Sequence, residues 1–326
     1  MIITKTPFRI SFAGGGTDLA AFYEQEYGAV VSTTIDKFMY IAIHKFFERK
    51  IMLKYSKTEL VDSPDEIEHP LIRECMNIAN FNDFVEITSF ADIPSKGSGL
   101  GSSSSFSVGM LKALASYQGK NISPAQAAEQ ACTVEIEKLG DPIGKQDQYA
   151  AAFGGFNYIR FNPDGSVFVE PIIIKPEQKE EINKHLLMFY TGITRKATTI
   201  LAEQQQNTIS SEAKFNNLKK MRDLANELRV ELMNGNVHAI GEFLHKGWTY
   251  KKDLASGISS GNIDEYYEQA RQAGAVGGKI LGAGGGGFLL FWCPPEKHEA
   301  LKKALGDLEH VPIRLEPQGA HIIYTG

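Results

Sequence analysis

Apolar runs separated by turn-forming residues fill the first half of the chain: FRISFAG, AVVSTTI, MYIAIHKF, KIMLKY and FVEITSF, then FNYIRF and VFVEPIII. Short runs of this kind, rich in β-branched and aromatic residues, predict strands. Two amphipathic stretches lie between them. The first covers about residues 102 to 118, with Phe106, Met110, Leu114 and Tyr117 along one face and Gly119 placed to end it. The second opens on Ser123 as N-cap, with Pro124 at the first helical position and Gln126 completing a capping box, and closes before Gly140. From about residue 185 the pattern changes. A strand, LLMFYTGI, is followed by long helices over about 197 to 233 and 237 to 254 and a helix around 263 to 273. Strands then follow at GGKILG, GFLLFW, VPIRLE and AHIIYT. Both halves read as α+β. The charged segment KPEQKEEINK places the expected boundary near residue 184, giving domains of residues 1–184 and 185–326 with no internal repeat.

Composition narrows the class. With 326 residues, 43% of them hydrophobic and 22% charged, the chain can bury a sizeable core and divide into two domains. A net charge of -5 argues against nucleic-acid binding, and the basic pairs Lys219–Lys220 and Lys251–Lys252 read as solvated helix faces. The first residues, MIITKTPFRISF, lack a basic region followed by an apolar run. No apolar segment approaches the ~18 residues of a membrane span, so a cytoplasmic protein without a membrane partner is expected. Cys75, Cys132 and Cys293 form no CxxC pair and read as buried small apolar residues. The eight histidines contain no HExxH and read as surface or core residues.

Chemistry concentrates in PSKGSGLGSSSSFSVGMLKAL, residues 94 to 114. Pro94 ends a strand pattern and a helix begins within the serines, so the segment is a strand-to-helix connection and not a linker. Amide groups at a helix N-terminus carry partial positive charge, and glycines let backbone approach a phosphate closely. Read alone, the stretch favours a capped helix over a phosphate cradle. No GxxxxGK[ST] occurs in the chain. A GxGxxG at Gly282, Gly284 and Gly287 runs into FLLFW, a strand where a dinucleotide fold needs a helix.

Pro94 with Gly99, Leu100, Gly101, Ser102 and Ser103 resembles the PxxxGLGSS signature of the galactokinase, homoserine kinase, mevalonate kinase and phosphomevalonate kinase superfamily. Two further motifs appear in that family's order, PFRISFAGGGTDL at 7 to 19 and KILGAGGGGFLLF at 279 to 291, so the resemblance spans essentially the whole chain. It implies a two-domain α+β kinase with an N-terminal ribosomal-protein-S5-like domain and a C-terminal ferredoxin-like domain, using ATP and Mg2+. It implies that Gly97, Ser98, Gly99, Leu100, Gly101, Ser102, Ser103 and Ser104 wrap the nucleotide phosphates. The segment EIEKLGDPIGKQDQYAAAFGG resembles the galactokinase pattern E-x4-G-x-P-x-G-x-x-D-Q, with Glu135, Gly140, Pro142, Gly144, Asp147 and Gln148 in register. By that match Asp147 is the catalytic base, and Glu135 binds magnesium together with Ser103. An independent argument also bears on Glu135: it falls in the last turns of a helix, where the dipole disfavours a carboxylate by up to ~1 kcal/mol. A bound cation would offset that, as would pairing with Lys138 or solvent.

Arg9 stands where galactokinases have an arginine, and its charge is expected to stabilise the phosphoryl group in flight. Gly15, Gly16, Thr17 and Asp18 are expected to face the sugar, with Gly284 and Gly285 closing the acceptor site from the second domain. Galactokinases carry GEHTD where this chain carries GGGTD, which counts against galactose. GGGTD together with FYTGITRKA, residues 189 to 197, instead resembles the branch that phosphorylates D-glycero-D-manno-heptose 7-phosphate at its anomeric C1 hydroxyl, for activated heptose and surface polysaccharide. The small-molecule partners implied are ATP and a sugar phosphate. Arg195 and Lys196, with Lys279 and Arg73 behind them, are candidates to hold the sugar's own phosphate, although ordinary surface charge explains them equally. KYSKTELVDS, residues 54 to 63, is the expected adenine segment. A same-fold kinase for L-fucose, galactose or an N-acetylhexosamine stays open, as does a non-catalytic ligand sensor. The joint presence of Asp147, Glu135, Ser103 and Arg9 speaks against the sensor.

Overall fold

The strand-like runs assemble into two sheets in a computed structural model that describes residues 1–94, 97–194 and 197–326. The strands are β1 (Ile2–Ala13), β2 (Gly28–Lys45), β3 (Ile51–Lys54), β4 (Thr58–Val61), β5 (Val85–Ala91), β6 (Phe156–Phe161), β7 (Val167–Pro171), β8 (Leu186–Tyr190), β9 (Gly277–Ile280), β10 (Phe288–Trp292), β11 (Glu309–Val311), β12 (Leu315–Glu316) and β13 (His321–Thr325). Among the described residues the larger sheet runs β13-β1-β2-β5-β3-β4, with β6 and β12 also on β2 and β7 on β6. AVVSTTI and MYIAIHKF, two runs in the sequence, are one strand. Pro7 faces Phe38 while Phe8 faces Ile35, so Asp36 and Lys37 form a bulge in β2 and not a turn.

Helix Ser102–Tyr117 lies across β1 and β2, as its apolar face requires. Two polar contacts pin it down at close range: the Ser105 hydroxyl donates to the Pro7 carbonyl at 3.0 Å and Thr4 donates to the Gly109 carbonyl at 3.2 Å. The next helix, Pro124–Cys132, starts with the expected capping box of Ser123 and Gln126. It then continues as a π-helix, Thr133–Lys138, and this widened turn carries Glu135.

The smaller sheet has the order β11-β8-β10-β9 and is antiparallel throughout. Counted along the chain this is 4-1-3-2, the ferredoxin-like arrangement that the resemblance implies. Strands β8 and β10 are buried along nearly their whole length, which explains their unbroken apolar sequences. The expected helix over 197 to 233 is two helices, Ala197–Ser210 and Glu212–Met233. Ser211 leaves helical geometry, and its side chain accepts from the Lys214 amide. Glu212–Met233 stitches the sheets together, giving Leu224 and Leu228 to the core of the first and Leu218 and Met221 to the core of the second.

A boundary at residue 184 needs correction on two points. KPEQKEEINK is largely helical, within Pro176–His185, and the last strands do not stay in the second unit. β12 pairs with β2 and β13 with β1, so residues 315–325 complete the first sheet. Among the described residues no helix is long and apolar enough to cross a membrane.

A chain cut after residue 313 loses β12 and β13, exposes the edge of β1 and removes buried Leu315 and Ala320. Destabilisation above ~4 kcal/mol is expected in urea unfolding. A midpoint within experimental error of the full chain would show that these strands add nothing to the first sheet.

Candidate active site

A cavity of about 530 Å³ opens where the two sheets' loops meet. Arg9, on β1, is 3% exposed although charged, which demands a partner. Its Nε and Nη2 donate to the two carboxylate oxygens of Asp147 at 2.7 and 2.8 Å, and Nη1 donates to the Gly99 carbonyl at 2.7 Å. Asp147 sits in the first turn of helix Gln146–Phe153, where the helix dipole favours a carboxylate, and it faces the cavity. The glycine-serine loop closes over this pair. A Cβ on Gly101, whose φ is +76°, would stand 3.2 Å from the Asp147 carboxyl. A Cβ on Gly99 would come within 2.4 Å of the Leu281 carbonyl, and one on Gly282 within 2.4 Å of the Gly99 Cα. The serine loop and the C-terminal glycine turn therefore meet backbone to backbone, a contact that side chains would prevent.

Gly97, Ser98, Gly99, Gly101, Ser102, Ser103 and Ser104 line the cavity. Leu100 does not: its side chain is buried in the core, and its carbonyl accepts from the Arg9 amide at 3.1 Å. Gly15, Gly16 and Asp18 also form part of the wall. Asp18 Oδ1 accepts from the Gly16 amide at 2.9 Å and from Gln146 Nε2 at 3.0 Å. Burial pushes its pKa up, and the charge of Asp147 adds to that rise. Thr17 faces away. Its hydroxyl lies 2.8 Å from the Gly14 carbonyl and accepts from the Ala29 amide at 3.0 Å, anchoring the loop to β2. From the third motif, Gly282 and Ala283 reach the wall. Gly284 packs on Ile258, and the Gly285 amide donates to the Ile258 carbonyl at 2.8 Å, so neither expected glycine lines the cavity.

Glu135 is fully buried and not paired with Lys138 or solvent. Ser104 Oγ and Gln148 Nε2 donate to its Oε2 at 2.9 and 2.7 Å, while among the described residues Oε1 has no hydrogen-bond partner. Burial pushes its pKa up to about 7; the bonds from Ser104 and Gln148 and the nearby Ser103 hydroxyl oppose this and the charge of Asp147 adds to it. An orphaned carboxylate oxygen beside the exposed Ser103 hydroxyl is a hard, all-oxygen donor set of the kind that suits Mg2+.

The GHMP kinases N terminal domain matches residues 42–155 and the GHMP kinases C terminal domain matches residues 228–308. The D-glycero-alpha-D-manno-heptose 7-phosphate kinase of Campylobacter jejuni is 31% identical over 93% of both chains. This chain belongs to the GHMP kinases. As such it is an ATP-dependent phosphotransferase with an alcohol group as acceptor. It is also similar to a galactokinase of Pyrococcus furiosus, 27% identical over 93% of this chain and 92% of that one. Among solved structures, a D-glycero-D-manno-heptose 1-phosphate kinase from Bacteroides thetaiotaomicron superposes with a TM-score of 0.81 at 27% identity over the full length of both.

Three residues of this GHMP kinase's cavity were not legible as site residues. Gln146 Oε1 and Gln204 Nε2 are buried and, among the described residues, have no hydrogen-bond partner. Lys251 is not the solvated residue that its neighbour Lys252 suggested: it is 5% exposed, lines the cavity and donates from Nζ to the Gly282 carbonyl. Burial pushes its pKa down to about 7, with Arg9 adding to the fall and Asp18 and Asp147 opposing it. Its spacing held the signal, because Leu244, Trp248 and Lys251 recur at intervals of four and three on the buried face of helix Ala239–Lys252. Of the candidates for the sugar's own phosphate, Arg195 and Lys196 lie outside the described residues. Lys279 is buried off the wall, donating to the Ser11 carbonyl at 3.0 Å, and Arg73 is turned to the Ile67 carbonyl at 2.9 Å. The segment 54 to 63 holds the end of β3, the turn after it and all of β4, and none of it lines the cavity.

Because the folded pKa of Glu135 lies above its ordinary 4.5, the unfolded chain ionises first and stability falls as pH rises from there to about 7. Glu135→Gln is therefore expected to stabilise the metal-free protein by up to ~3 kcal/mol at pH 8, with the gain vanishing near pH 4.5. Urea unfolding at the two pH values checks this, and an equal effect at both would show that burial of the charge is not the cause.

Proposed function

We propose that this GHMP kinase transfers the γ-phosphoryl group of ATP to the anomeric C1 hydroxyl of D-glycero-D-manno-heptose 7-phosphate, giving the 1,7-bisphosphate for activated heptose and surface polysaccharide. The observation that carries the reading is Asp147, held by both oxygens on Arg9, between the serine loop and the Gly15–Gly16 wall of one cavity. Asp147 takes the proton of the acceptor hydroxyl as the new bond to phosphorus forms. An anomeric hydroxyl is more acidic than an ordinary alcohol, so a carboxylate is an adequate base. Arg9 fixes the direction of that carboxylate and places positive charge beside the reacting centre.

The amide groups of residues 97–104, at the N-terminus of helix Ser102–Tyr117, hold the nucleotide phosphates. Ser103 and the free oxygen of Glu135 hold magnesium, which when bound neutralises phosphate charge. Asp18, Gln146 and Gln204 offer buried acceptors and a donor to the hydroxyls of a sugar, and a polyol satisfies polar atoms that an apolar acceptor would leave unpaired. Arg195 and Lys196 remain the proposed partners of the sugar's own phosphate. The heptose reading rests on GGGTD and FYTGITRKA and on the names of two relatives. Those names agree on a phosphorylated heptose and differ over the position, one being a 7-phosphate kinase and the other a 1-phosphate kinase.

An acceptor panel with ATP and Mg2+, read by phosphorus NMR, tests the proposal. Heptose 7-phosphate is expected to outpace heptose 1-phosphate, galactose, L-fucose and N-acetylhexosamines. Faster turnover of any of these would replace the acceptor. Asp147→Asn is expected to lower kcat by at least ~10²-fold with ATP affinity kept. Turnover close to wild type would remove Asp147 as the base.

A further inference from the structure

Arg9 is already committed, with three donors spent on Asp147 and Gly99. Phosphoryl transfer brings further negative charge into the cavity, and among the described lining residues Lys251 is the remaining cation. Its placement is unlike that of a structural lysine. The side chain leaves the last turn of helix Ala239–Lys252 on the same face as buried Leu244 and Trp248, where an apolar residue would be cheaper. Its one hydrogen bond among the described residues goes to a neutral carbonyl, that of Gly282, which leaves two ammonium protons without an acceptor there.

Gly282 lies against Gly99, and the Gly99 carbonyl accepts from Arg9, so the ammonium and the guanidinium flank one backbone seam. The charged groups facing Lys251 are Arg9 on β1, Asp18 on the loop after it and Asp147 on helix Gln146–Phe153, and Lys279 on β9 feels its charge in turn. These surround the reacting end of the site. The wall made by helix Ala197–Ser210, where Thr198, Leu201 and Gln204 face the cavity, holds no cation among the described residues.

We propose that Lys251 is a catalytic residue whose ammonium leaves the Gly282 carbonyl and binds the phosphoryl group as it passes from nucleotide to acceptor. The inference rests on the kinase reading above. As the bond from acceptor oxygen to phosphorus forms, the bond from phosphorus to the β,γ-bridging oxygen breaks. Its electron pair leaves with ADP, the acceptor proton goes to Asp147, and Lys251 keeps its protons throughout. Burial lowers the pKa of the empty site's lysine, so the incoming phosphate and the charge of Lys251 stabilise each other.

The test compares wild type with Lys251→Met and Lys251→Arg. Binding of ADP with Mg2+, alone and with aluminium fluoride as a mimic of the group in flight, is measured by calorimetry. Lys251→Met is expected to keep ADP affinity within about 3-fold, to lose at least ~10-fold in the added affinity that aluminium fluoride confers, and to lower kcat by ~10²-fold or more with acceptor KM little changed. Lys251→Arg is expected to recover part of both losses and supplies the same readouts if the methionine variant does not fold. An unchanged aluminium fluoride increment overturns the proposal. So does a raised acceptor KM at constant kcat, which would place Lys251 on the acceptor's own phosphate. Wild-type protein that binds no nucleotide would overturn the kinase reading and this inference with it.

Discussion

Two hydrogen bonds of 2.7 and 2.8 Å join the first strand of the chain to the start of helix Gln146–Phe153, through Arg9 and Asp147. The Arg9 charge is buried and tolerable only because Asp147 is there. Removing Asp147 would leave the buried Arg9 guanidinium without its counter-charge, whereas Asp147, open to the cavity, could fall back on water. The pair thus does more than place a base. It fixes the distance between β1 and the helix, and the Gly99 carbonyl, bound to the same guanidinium, hangs the serine loop from it. The backbone contact between Gly99 and Gly282 then carries the constraint into the second sheet.

Around this pair the cavity holds charges in tension. Asp18 and Glu135 are pushed toward their neutral forms by burial and by Asp147, while Lys251 is pushed toward its neutral form by burial and by Arg9. A fold selected only for stability would replace such groups with apolar ones. Held in place by rigid strands and helix ends, they form a polar environment that needs little rearrangement when charge arrives. The orphaned atoms of Glu135, Gln146 and Gln204 belong to the same pattern, since each is a hydrogen-bond or metal-ligand position that the described residues do not fill.

Local chemistry was legible in the sequence and partnership was not. Helix Ser102–Tyr117 followed from its apolar spacing, and the start of Pro124–Cys132 from Ser123, Pro124 and Gln126, because caps and periodicity act within a few residues. The family motifs pointed to Arg9 and Asp147, which line one cavity, and to Glu135, which is buried behind its wall on the lining residue Ser104. What escaped depends on distant neighbours. The continuity of β2 through Asp36 and Lys37 is set by β1, which pairs on both sides of the bulge, while β12 pairs before it and β5 after it. The π-turn at Glu135 leaves no periodic mark, and a lysine on an apolar stripe looks like one end of a polar pair until the surface it faces is known. Thr17, Gly284 and Gly285 show the converse, since a motif residue can hold its loop in shape while its neighbours meet the cavity.

The pairing of β13 with β1 sets an order in time as well as in space. A ribosome releases β1 first among these strands and its outer neighbour last, with the second sheet in between. The nascent chain must therefore carry an open β1 edge on the larger sheet until β13 has been made, a surface that invites pairing with other chains. Arg9 already lies on that strand, and Asp147 is synthesised well before β13. The site's central ion pair can form during translation, whereas closure of the sheet that supports it waits for the final strand.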